Sequence, residues 1–129
     1  MKTFIYELAD NFLHLSKIEE GNGDGLVLVF PKHLKGTCRL ADESAPLQNG
    51  YARFAEKKRA RGTYRLRLHT EQGELCGDSL CFCDGQWRCE SDMEMCRVHL
   101  EIARLKDRSR ELSGEIEKLN EAVFRTVIF

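Results

Sequence analysis

The chain has 129 residues, 42% of them hydrophobic and 32% charged, with a formal net charge of −1. Those proportions describe a folded domain rather than a disordered chain, and the charge balance excludes a wholesale basic nucleic-acid binder. Two prolines and ten glycines exclude collagen-like and proline-rich classes, and no apolar run approaches the length of a membrane span.

The start MKTFIYELAD lacks the apolar core of a secretory leader. The expectation is therefore synthesis in the cytoplasm, with all six cysteines as free thiols. The first 90 residues read as strands. Thr3–Leu8 and Asn11–Leu15 are the first pair, and Asn22-Gly23-Asp24-Gly25 is a strong turn signal. Leu26–Phe30 (LVLVF) is a continuous apolar run, as in a strand buried on both faces, and it stops at Pro31. Thr37–Leu40 is a weaker strand, and Asn49-Gly50 opens another around Tyr51–Phe54. The charged stretch Glu56–Arg61 fits a loop or a helical turn.

Gly62–Thr70 alternates most clearly. Tyr64, Leu66 and Leu68 point one way, and Arg65, Arg67 and His69 the other. After a turn at Glu71–Glu74, Leu80–Cys83 and Gln86–Cys89 flank Asp84-Gly85, a hairpin signal. A two-residue turn there pairs Cys83 with Gln86, Phe82 with Trp87, Cys81 with Arg88 and Leu80 with Cys89. Leu80, Phe82, Trp87 and Cys89 then share the core face, and Cys81 and Cys83 the opposite one. The whole predicts a small antiparallel β-sandwich or barrel of about seven or eight strands over residues 1–90.

After Glu90 there is no proline and a single glycine, and the pattern changes to that of one long helix over residues 91–124. Met95, Val98, Ile102, Leu105, Ser109, Leu112, Ile116, Leu119 and Val123 recur at alternating steps of three and four, a sustained heptad. With Met95 at a, the a positions are Met95, Ile102, Ser109, Ile116 and Val123, and the d positions are Val98, Leu105, Leu112 and Leu119. From Met95 to Val123 such a helix is about 43 Å long at about 1.5 Å per residue, too long for its seam to be covered by a 90-residue globule. These nine residues are the expected interface of a homo-oligomer, dimer or trimer, held by a parallel coiled coil. β-branched residues at a with Leu at d favour a parallel pair, and Glu101 at g faces Lys106 at the partner's e. A second stripe, Met93, Cys96, Leu100 and Ala103, is expected to pack on the β domain or to mark a three-stranded coil. Thr126–Phe129 is β-branched and aromatic, so residues 125–129 are expected to leave the helix as an extended apolar tail.

Chemistry is thinly marked. Cys76, Cys81, Cys83, Cys89 and Cys96 follow no zinc-knuckle spacing, and the hairpin register separates Cys81 and Cys83 from Cys89. No P-loop, G-x-S-x-G, G-x-G-x-x-G or H-E-x-x-H motif occurs. The expectation is a non-enzymatic protein with no cofactor, no metal and no catalytic residues. Residues 51–67 carry Arg53, Lys57, Lys58, Arg59, Arg61, Arg65 and Arg67 against Glu56, a net of +6. The run 53–67 supports an alternative, a coiled-coil-dimerised nucleic-acid-binding or regulatory module.

A small β domain followed by a coil and a short apolar end resembles phage or prophage tail and baseplate accessory proteins. The run Gly62–Leu68, the glycine-containing turn and the Leu80–Trp87 hairpin are similar to the last strands of the N-terminal β-sandwich of baseplate upper proteins. The ending Glu121–Phe129 resembles their coil ends. The resemblance implies a structural, oligomeric part of a larger phage-like assembly, associated with the virion.

Overall fold

A computed structural model describes residues 2–21 and 25–128, with side chains through Ala122. Nine strands precede one helix among the described residues: β1 (Lys2–Ala9), β2 (Phe12–Glu19), β3 (Leu26–Val29), β4 (Gly36–Leu40), β5 (Glu43–Pro46), β6 (Tyr51–Phe54), β7 (Gly62–Thr70), β8 (Gly73–Cys83), β9 (Gln86–Cys89) and α1 (Met93–Ile128). Eight strands run in the order β5-β4-β7-β8-β2-β1-β3-β6, with β9 paired to β8. The end strands β5 and β6 approach each other, so the sheet is a nearly closed barrel rather than a two-layer sandwich. The stretch 55–61 is a loop.

Inward positions alternate as the pleat requires. Phe4, Leu13, Leu15, Leu28, Cys38, Leu40, Ala52, Leu68 and Leu80 are fully buried and form one core with Tyr6, Phe30 and Trp87. Tight turns set the hairpins. Asp10 and Asn11 both have positive φ, as do Asp84 and Gly85, which matches the twist of the flanking strands. The β8–β9 register is Leu80 to Cys89, Cys81 to Arg88, Phe82 to Trp87 and Cys83 to Gln86, as the two-residue turn requires.

The sheet is mixed, not antiparallel throughout. β1 runs parallel to β3, and β2 parallel to β8 over Phe12–Leu13 and Cys76–Gly77. That second contact is short because the strands separate beyond Gly77. Asp78 bridges the gap: its Oδ2 accepts the Leu15 N–H at 2.7 Å, and its carbonyl accepts the Tyr6 hydroxyl at 2.9 Å. A bulge places Asp78 and Ser79 together opposite Arg65, which bends β8 where its pairing with β2 ends.

The helix continues through Ile128, so residues 125–128 are helical rather than an extended tail; Phe129 lies outside the described residues. Each added residue gains a backbone hydrogen bond, and β-branched residues cost only tenths of a kcal/mol each in a helix. Without proline or glycine, nothing in Arg125–Ile128 stops it. The helix is about 54 Å long at about 1.5 Å per residue. No described helix is both long and apolar enough to cross a membrane.

Candidate functional site

Two stripes divide the helix. Asp92 starts it, with its Oδ1 accepting the Glu94 N–H at 3.1 Å. The first stripe docks on the barrel. Cys96 is 1% exposed within the main core, and Leu100 and Ala103 form a small apolar cluster with Ala9. Met93 packs half-buried beside them. This is the barrel-facing role expected of the stripe. It continues as polar contacts on the β1–β2 turn. Asp107 Oδ2 accepts the Asp10 N–H at 2.9 Å, Arg104 pairs with Glu7 and Glu101, and Arg110 pairs with Asp10 and Asp107. Arg110 holds the Asp10 carboxyl below the usual carboxylate range. These pairs are solvent-exposed, so they orient the helix more than they hold it.

The second stripe is the predicted seam. Met95 and Val98 are 49% exposed, Ile102 45%, Leu105 64%, Leu112 50%, Ile116 56% and Leu119 64%. Ser109 is exposed as well, and the Val123 side chain lies outside the described residues. At 3.6 residues per turn the seam falls on nearly the opposite side of the helix from Cys96, Leu100 and Ala103. The barrel therefore sits behind the helix and leaves the described seam residues facing outward. Among the described residues the ion pairs to the barrel end at Arg110, and Leu112, Ile116 and Leu119 beyond it are exposed on helix that projects past the barrel.

The basic run does not form one surface. Arg59 is buried by its side chain to 3% exposure, makes a two-nitrogen bond to Glu43 at 2.8 and 3.0 Å, and lies over the Trp87 ring at 5.2 Å. Lys57 joins the same carboxylate at 3.3 Å. Arg59 first, then Lys57, lowers the Glu43 pKa against the raising effect of burial. Both cations line a cleft of about 350 Å³ with Lys2, Glu20, Phe82 and Trp87, where Lys2 is paired to Glu20 at 2.9 Å. Arg53 stands over Tyr51 on β6. Arg65 and Arg67 project from β7 beside Arg39 of β4, which is directly opposite Arg67.

The cysteines also separate. Cys38 is buried in the core, Cys76 is exposed, and Cys81, Cys83 and Cys89 are half-buried. Burial pushes the Cys38 thiol up to about 12. Cys89 turns away from Cys81 and Cys83 toward the start of the helix, where its Sγ lies 3.5 Å from Cys96 Sγ. Sequence reasoning missed this contact. Its signal was Cys96 on the docked stripe and Cys89 at the end of the last strand. Compared with known protein families, curated proteins and solved structures, the chain matches none.

Proposed function

We propose that the protein is a non-enzymatic assembly component whose helices associate in parallel through Met95, Val98, Ile102, Leu105, Ser109, Leu112, Ile116, Leu119 and Val123. The barrel docks onto a larger structure, and the coil sets the number of copies. The observation that carries this reading is the heptad seam left exposed on the face opposite the docked one. Exposed apolar side chains lined along one helix face, broken only at Ser109, are unfavourable in water and become favourable when a second seam covers them. Ile102 and Ile116 at a, with Leu105, Leu112 and Leu119 at d, match the packing of a parallel pair. A phage-like tail or baseplate is the setting that the resemblance in the β7–β9 region suggests, and a homo-oligomer of two or three chains is its unit.

The double variant Leu112→Asp with Ile116→Asp tests it. Each unpartnered charge buried in a coil costs several kcal/mol. Because both sites lie past the barrel contacts, the barrel stays folded. The variant is expected to sediment as a monomer with native near-ultraviolet dichroism from Trp87. A variant that keeps the parent's oligomeric state refutes this seam as the interface.

A further inference from the structure

The end of the barrel and the beginning of the helix meet through two thiols. Cys89 is the last residue of β9, and Cys96 lies in the first turn of α1. Their Sγ atoms are 3.5 Å apart, and the Ser91 hydroxyl lies 3.8 Å from one and 3.2 Å from the other. Both flanks of the connecting loop are fixed. The Glu90 N–H donates to the Ser79 carbonyl at 3.1 Å, and the Cys96 N–H donates to the Asp92 carbonyl at 3.0 Å. The two sulfurs are therefore held in contact by backbone on each side. Their access differs: Cys89 is half-buried, whereas Cys96 is 1% exposed.

The other thiols are worse placed for bridging. Cys81 and Cys83 are neighbours at i and i+2 on one strand. That spacing puts their Cα atoms about 6.7 Å apart, at the limit of disulfide geometry, with parallel Cβ vectors. Cys38 lies in the core, and Cys76 faces outward from β8.

We propose that Cys89 and Cys96 form a redox modification site, which a low-molecular-weight disulfide converts into an intramolecular cystine that latches β9 to α1. The Cys89 thiolate attacks one sulfur of the reagent, breaking its S–S bond and releasing one thiol. The Cys96 thiol then gives up its proton and attacks the Cys89 sulfur, expelling the second thiol. Two cysteines are oxidised and one reagent disulfide is reduced to two thiols. The latch closes an eight-residue loop and fixes the helix to the barrel where Cys96 already docks. It does not depend on the helices associating.

The test treats the full chain with excess oxidised glutathione, quenches with acid and alkylating agent, and maps peptides without reduction. The expected product is lighter by about two mass units, the two hydrogens lost, with the peptides of Cys89 and Cys96 joined. Its melting temperature is raised by about 5 °C or more. Cys96→Ala is expected to stop at a stable glutathione adduct on Cys89, with no such rise. Cys89→Ser, changed at a half-buried position that leaves the core intact, is expected to leave Cys96 unmodified. A parent protein that ends with glutathione on Cys89 and a free Cys96, that bridges Cys81 to Cys83 instead, or that keeps all thiols free overturns the proposal.

Discussion

At the scale of single residues, close approach and buried protons decide most. Gly77 sits where β2 and β8 touch, and a Cβ there would lie 2.8 Å from Leu13 Cβ and 2.8 Å from a Leu66 methyl. Both neighbours are buried, so neither can swing out of the way. Gly77→Ala is expected to cost about 2 kcal/mol by overpacking, read as a lower denaturant midpoint with an unchanged slope. Cys38 offers a second handle. Burial raises its pKa from 9.0 to about 12, so the folded chain holds a proton that the unfolded chain releases. Its contribution is complete below pH 9 and is lost as the pH rises toward 12. Tyr6, raised above 10.0 mainly by burial and then by Cys38, acts in the same direction at higher pH. Denaturation between pH 9 and 12 should show stability falling, and Cys38→Ala should flatten the fall by about 1.4 kcal/mol per pH unit.

At the scale of elements, the helix has one face docked on the barrel and one left exposed, and substitutions on each face should separate docking from the proposed association. Leu100, 4% exposed against Ala9 and Ala103, is expected to cost about 2–3 kcal/mol of barrel stability when cut to Ala. Leu105, 64% exposed, should leave the barrel within about 0.5 kcal/mol and weaken association instead. Denaturation curves and sedimentation of the two variants, measured side by side, check the division. Both stripes were legible in the sequence because each recurs at helical spacing, the seam broken by a polar residue only at Ser109. The hairpin at Asp84-Gly85 and the strand Gly62–Thr70 were legible for similarly local reasons: a turn dipeptide and a strict alternation. β5 was not, since Glu43–Pro46 has Ala45 as its one inward apolar residue and ends in proline. The first half of β8 was not, because Leu75 is a lone large apolar residue among Gly, Glu, Cys and Asp. The parallel pairings of β1 with β3 and β2 with β8 depend on which distant strands meet. Alternation along one strand carries no information about that.

At the scale of the whole molecule, the barrel and the projecting helix are a head and a stalk joined at the Cys89–Cys96 corner. The docked face keeps each barrel behind its own helix, so parallel helices can meet seam to seam with all barrels at one end and on the outside. The candidate site was legible as a line of nine residues. That the other stripe would take the barrel side was legible too; which part of the barrel receives it was not, because that depends on the β1–β2 hairpin. Arg104, Asp107 and Arg110 meet Glu7 and Asp10 on that hairpin, and none of these charges forms part of a recognisable motif. Sedimentation equilibrium of the full chain over a wide range of concentrations tests the central claim most directly. The account predicts a mass of two or three times the 14.9 kDa chain, falling toward one chain on dilution. A mass of 14.9 kDa at every concentration would contradict it.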